Sequence, residues 1–179
     1  MLQKKIIAAV RGKIDKAVNS DVNIIFFLSP NILNVKDVID KAHNSGKKIF
    51  LHFDLAEGVG KDKAGLEFIK KLGADGIIST RVNIIKAARE VGLATVQRFF
   101  IVDSHSIETT AEALKASKPD LVELMPGIIT KVITEIKEKV DIPVIAGGLI
   151  ETEQEAAAAF EAGASAVSTG KPKLWKVFE

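Results

Sequence analysis

Cysteine is absent from this chain of 179 residues. Its absence excludes disulfide bridges, thiolate nucleophiles and cysteine-ligated metals together. A run of about 18 consecutive apolar residues, the minimum for a membrane-spanning helix, is missing too. Residues 1–10 are apolar but carry Lys4 and Lys5, and they are too short and lack the small-residue cleavage pattern of a signal peptide. A cytoplasmic setting is the expectation. Charge of one sign is scarce as well: the formal net charge is +2, too small to predict a nucleic-acid partner by itself. His43, His52 and His105 lie in different segments, so no metal-ligand spacing is present and no metal or cofactor is expected. No lysine falls inside an apolar run beyond its first residue, which leaves a mid-strand Schiff-base lysine unsupported. The Asp-x-Lys pattern of orotidine-phosphate decarboxylase barrels is also missing from the third run.

What is present is a rhythm. Short runs rich in Ile, Val, Phe and Ala, the composition of strands buried on both faces, alternate with amphipathic helical stretches. The pattern predicts strands over 6–10, 23–28, 48–54, 76–79, 95–102, 121–124, 143–146 and 166–168, with helices over 13–19, 35–45, 62–72, 83–91, 107–117, 128–140, 152–162 and 173–177. Strict alternation implies a parallel sheet with crossover helices. Eight such units favour closure into a compact (β/α)8 TIM-type barrel occupying 1–179 as a single domain, with very short loops for a fold that usually needs about 250 residues. Gly46, Gly73, Gly92 and Gly163 follow helical runs, where a left-handed residue ends the helix. The segment 73–80 resembles 163–169, as the two halves of a duplicated barrel would.

Ligands of parallel barrels bind at the C-terminal strand ends. Gly147 and Gly148 follow the seventh run, and Ser168 and Thr169 end the eighth. Glycines allow close backbone approach to an anion, a following helix N-terminus adds positive potential, and the hydroxyls add donors. These four residues are the expected phosphate site. Alternation along the third run turns Ile49, Leu51 and Phe53 outward and aims His52 and Asp54 into the mouth; the sixth run aims Glu123 inward in the same way. An inward carboxylate needs a partner, and Arg11, Arg81 and Arg98 are available. These groups form either an ion-pair layer or a set that binds ligand hydroxyls or moves protons. Asp103, Ser104, His105 and Ser106 are neighbours in sequence, unlike the convergent members of a triad, and Ser104 or Ser106 is expected to cap the next helix. In the tail, Lys171, Lys173 and Lys176 surround Trp175. They could track phosphates, although docking of Leu174, Trp175 and Phe178 against the barrel is the simpler expectation. On these residues alone the leading reading is an isomerase, lyase or epimerase of a small sugar phosphate, using Asp54, Glu123 or His52 as acid or base.

A longer pattern changes that order. His52-Phe53-Asp54-Leu55, the stretches 75–81, 97–104 and 119–127, Ala146-Gly147-Gly148-Leu149-Ile150, Ser168-Thr169 and Leu174-Trp175 occur together in order. Over nearly its whole length the chain resembles the glycerol-3-phosphate-responsive antiterminators, also called glycerol uptake operon antiterminator regulatory proteins. The resemblance implies a regulator without catalytic residues. Its effector would be sn-glycerol 3-phosphate, with the phosphate on Gly147, Gly148, Ser168 and Thr169 and the hydroxyls meeting Asp54, Glu123 or an arginine. Its macromolecular partner would be the leader mRNA of glycerol-utilisation operons, met by the lysine-rich tail or by the surface of a homodimer. Segments 54–60 and 103–106 would move on binding. The chain departs from the pattern at Met125, where leucine is usual, and at Thr130, where proline often stands.

Overall fold

The apolar runs do become strands. In a computed structural model that describes residues 5–176, β1 (Lys5–Val10), β2 (Ile24–Phe27), β3 (Lys48–His52), β4 (Gly76–Ser79), β5 (Ala94–Phe100), β6 (Leu121–Met125), β7 (Val144–Gly147) and β8 (Ala166–Thr169) pair in sequence order and close into a parallel barrel. The helices α1 (Asp15–Val18), α2 (Val35–Asn44), α3 (Lys63–Lys71), α4 (Val82–Glu90), α5 (Ser104–Ser117), α6 (Thr130–Lys139) and α7 (Glu153–Glu161) are the crossovers between successive strands. The architecture is a single-domain TIM-type barrel.

The two-residue side-chain period of a strand sorts the core into two shells. Inside the barrel lie Ile7, Phe26, Phe50, Ile78, Val96, Ile145 and Ala166. Outside, between strands and helices, lie the alternate residues such as Ile25, Ile49, Leu51, Ile77, Val122 and Val167. Space inside is tight. The rings of Phe26 and Phe50 stand 5.7 Å apart, and a Cβ on Gly76 would come within 2.4 Å of Phe50. Glycine is therefore the residue that lets the aromatic ring fill the interior.

The N-terminal rim is fastened by aspartates placed just before strands. Asp75 accepts the N–H of Ile49 at 2.8 Å and lies 2.9 Å from His43 Nε2. Asp120 accepts the N–H and the hydroxyl of Thr95, both at 2.8 Å. Gly73 and Gly163 both end their helices in the left-handed region, at φ 101° and 100°, the conformation a Cβ would resist.

Several sequence-predicted boundaries shift, and α5 starts at Ser104 rather than at Ile107. The first helix is only four residues long. The third strand ends at His52, because Phe53–Leu55 turns into a 3-10 helix. The fifth ends at Phe100, although Ile101 N–H still reaches the carbonyl of Met125 at 2.8 Å. In place of an eighth helix over 173–177 there is a 3-10 turn, Pro172–Leu174; residue 177 and Phe178 lie outside the described residues. Proline at the start of that turn contributes no N–H.

Candidate functional site: the C-terminal mouth of the barrel

A cavity of about 400 Å³ opens at the ends of β1, β7 and β8. Its walls include Arg11, Arg98, Gly148, Leu149, Ser168, Thr169, Gly170 and Lys171. Three residues of the predicted phosphate grip therefore line one cavity, and Gly147 sits beneath it. A Cβ on Gly147 would fall 2.5 Å from Glu123 Oε1 and 2.6 Å from Ser168 Oγ, so glycine is needed there for space. Gly148 and Leu149 take consecutive left-handed conformations, φ 76° and 62°, which gives the β7–α7 turn its shape.

Two contributions expected of that grip are differently placed. The hydroxyls are engaged within the protein: Ser168 donates to Glu123 at 2.5 Å, and Thr169 donates to the carbonyl of Ile150 at 2.7 Å. The helix N-terminus after β7 is also spoken for. Thr152 and Glu155 form a capping box in which Glu155 accepts the N–H groups of Glu151 and Thr152 at 2.7 and 2.9 Å. Acidic side chains of α7 thus occupy the positive end of its own dipole. What remains to face an anion is the glycine-rich backbone together with exposed Arg11.

The predicted carboxylates form two separate knots. Glu123 is fully buried; it meets Arg98 Nε at 2.6 Å through one oxygen and Ser168 through the other. Arg98, only 5% exposed, keeps its Nη2 buried with no hydrogen-bond partner. Asp54 lies on the 3-10 turn rather than on a strand. It accepts from Ser79 Oγ at 2.7 Å, Thr80 N–H at 2.8 Å, Thr80 Oγ1 at 3.0 Å and Arg81 Nε at 3.1 Å. Burial pushes the Asp54 carboxyl up, but the donors from Thr80, Ser79 and Arg81 outweigh it and hold the group below the usual carboxylate range. With both oxygens engaged, Asp54 is a staple between the β3 turn and the end of β4.

His52 shares the inward face of β3 with Phe50, as alternation predicts, and is 6% exposed, with Nδ1 unpartnered; it does not line the cavity. Burial, then the nearby charge of Arg98, lowers its pKa to about 4 against the opposing pull of Asp54. Its imidazole is neutral at neutral pH. Sequence offered Arg98 only as one of three available partners for an inward carboxylate; the signal that sets it apart is its place in the fifth run two residues after Val96, on the same inward face.

The remaining candidates fall elsewhere. Asp103, not Ser104 or Ser106, is the N-cap of α5, and Ser106 returns the bond as the third helical residue. Asp103 holds the extended backbone of the cap, at φ −156°, and both serines already lie within the helix. Of the tail lysines, Lys171 pairs with Glu151 and Lys176 with Glu153, each at 2.8 Å. Trp175 is buried and donates to the carbonyl of Thr169 at 2.8 Å; it supports β8 and offers no stacking face. The segments predicted to move are stitched down, 103–106 by the capping box and 54–60 by Glu57, which exchanges backbone bonds with Pro30 and Ile32. Among the described residues no three His, Asp or Glu converge as metal ligands, and no helix is long and apolar enough to cross a membrane.

The mouth has an unusual rim. Leu33 and Val102 are 89% and 84% exposed, and Ile32, Leu55, Phe100, Ile128, Ile129 and Leu149 are also open to solvent. Phe100 ends β5, and the others follow the C-terminal ends of strands.

Comparison with known proteins fits this geometry. The profile of the family described as glycerol-3-phosphate responsive antiterminator matches residues 6–175. The uncharacterized protein YgcP of Escherichia coli K12 is 38% identical over 176 residues, covering 97% of this chain and 92% of that protein. A glycerol uptake operon antiterminator regulatory protein of Listeria monocytogenes superposes with TM-score 0.90 at 34% identity, over 96% of this chain and 94% of its own. A glycerol uptake operon antiterminator-related protein of Thermotoga maritima gives TM-score 0.87, also at 34% identity, over 97% and 98%. A deoxyribose-phosphate aldolase of Aeropyrum pernix, at 12% identity and TM-score 0.73 over 97% and 88%, shares the fold alone.

Proposed function

The chain belongs to the glycerol-3-phosphate responsive antiterminator family, and from that premise we propose that it is a cytoplasmic transcription antiterminator. It binds sn-glycerol 3-phosphate in the barrel mouth and acts on the leader mRNA of glycerol-utilisation operons. The observation that carries this reading is the cavity of about 400 Å³, lined by Gly148, Leu149, Ser168, Thr169 and Gly170 with two arginines in its wall. Its size suits a small phosphorylated metabolite. Backbone groups of the glycine-rich turns and Arg11 take the phosphate, while Gly147 keeps the floor open for the Glu123–Ser168 bond.

The regulator is favoured over a sugar-phosphate isomerase, lyase or epimerase by the state of the predicted acids and bases. Asp54 carries four donors, and Glu123 is sealed between Arg98 and Ser168. A group that moves protons needs access to the reacting atom. Effector binding biases antitermination only if the RNA-competent and RNA-incompetent states bind the effector differently. With Lys171 paired to Glu151 just ahead of α7, Lys176 paired to Glu153 within it, and Trp175 buried, Lys173 is the tail lysine left to meet RNA, and a homodimer surface supplies the rest.

Calorimetric titration with sn-glycerol 3-phosphate, with glycerol and inorganic phosphate as controls, tests the effector. Selective binding is expected, with loss in Gly148→Val, since valine resists the left-handed turn. A folded wild-type protein that ignores the phosphoester sinks the reading. Leader-RNA affinity measured with and without effector at two salt concentrations then tests the output, and it should fall with salt if lysines track phosphates.

A further inference from the structure

One buried donor in the mouth has no use in the fold. Arg98 Nη2 is shielded from solvent and lacks a hydrogen-bond partner, although Arg98 spends its Nε on Glu123 at 2.6 Å and lines the cavity. Such a group costs free energy unless something else completes it. His52 Nδ1, also buried, is unpartnered too. The cavity has a polarity that limits what can complete Arg98. Its outer edge carries exposed Arg11. Its inner wall holds Arg98 beside Glu123, a pair whose charges cancel. A second anion placed there would face the Glu123 carboxylate and lose its hydration. A neutral hydroxyl meets neither penalty and still receives a charge-assisted hydrogen bond.

We propose that Arg98 is the specificity-determining residue of the mouth: its free Nη2 edge donates to a hydroxyl of the bound phosphoester, whose phosphate lies outward by Arg11. The assignment rests on the effector reading above and deepens it. It orders the ligand, polyol inward and phosphate outward, and selects a small hydroxylated phosphate monoester. A phospho-acid of the same length, which would bring a carboxylate to Glu123, is rejected. Glu123 is then a positioning residue that holds the guanidinium edge-on to the cavity.

The test compares sn-glycerol 3-phosphate with propyl phosphate, which lacks both hydroxyls, and with 3-phosphoglycerate, by calorimetry on the full chain. Wild type should prefer the glycerol ester over each by about ten- to a hundredfold, the range for a hydrogen bond to a charged donor. The Arg98→Met/Glu123→Gln double variant removes the guanidinium without stranding a charge. In it the preference over propyl phosphate should collapse to within about twofold while propyl phosphate itself binds as before. Arg98→Lys replaces a two-edged planar head with a single ammonium; it should shrink the same ratio and serves if the double variant does not fold. Wild type that binds the glycerol ester with a ratio unchanged in the variants overturns the subsite alone. Equal loss of both esters overturns it too, by placing the phosphate on Arg98. Wild type that binds no phosphoester overturns the effector reading and the subsite together.

Discussion

The ends of β4 and β8 use the same three kinds of side chain for opposite purposes. At β4, Ser79, Asp54 and Arg81 form a knot on the rim, with Arg81 42% exposed and both carboxylate oxygens engaged. At β8, Ser168, Glu123 and Arg98 form a knot in the interior, with the glutamate inaccessible and one edge of the arginine left over. The first is complete without a ligand; the second is not. The sequence match between 73–80 and 163–169 runs through these two serines, yet they face opposite ways. The first segment has one more residue between its glycine and its serine, and a one-residue offset in a strand reverses the side chain. Ile78 of β4 therefore occupies the inward place that Ser168 has in β8, both of them about five residues after the matching glycine: one packs in the barrel core, the other bonds Glu123.

The comparison predicts unequal consequences of breaking each knot. Arg98→Met leaves Glu123 charged, buried and unpaired, and should cost about 3–5 kcal/mol in urea unfolding; the double variant with Glu123→Gln should recover most of that loss. A single variant within about 1 kcal/mol of wild type would mean that water reaches Glu123, and the interior knot would then resemble the rim one. The next largest effect is on acidification. His52, beside the interior knot, has its folded pKa depressed to about 4, while its unfolded counterpart protonates near pH 6.5. Between those values the unfolded state binds more protons, so stability falls as pH falls. The loss from pH 7 to 5 should be about 2 kcal/mol, and His52→Gln should flatten that slope. Smallest is Arg81→Met at the rim. This half-exposed pair is expected to contribute about 0–1 kcal/mol, because Ser79 and Thr80 continue to hold Asp54. A larger loss would make the rim knot more than a staple.

Much of this was legible in the sequence. The eight apolar runs, the barrel, the inward His52 and Glu123 and the convergence of Gly148, Ser168 and Thr169 all follow from alternation and from the position of glycines. What the sequence concealed were choices between equivalent donors. Glu123 had Arg11, Arg81 and Arg98 to choose among, and only the register of β5 against β6, with Arg98 opposite Glu123, settles it. Asp54 looked like an inward strand residue because nothing in Phe53-Asp54-Leu55 announces a 3-10 turn. The lysines of the tail looked free because their acidic partners, Glu151 and Glu153, lie about one helix back in the chain, on the other side of β8.

The apolar rim gives the molecule a greasy pole. Leu33 and Val102, 89% and 84% exposed, contribute next to nothing to the core, yet they stand with six other bare apolar side chains around one end of a body whose flanks are charged. Crowded solutions of such a body are limited by that end, since apolar patches on two copies lose less by meeting each other than by facing water. Polar replacements at these two positions raise the concentration at which the protein stays dispersed and leave the barrel as it was.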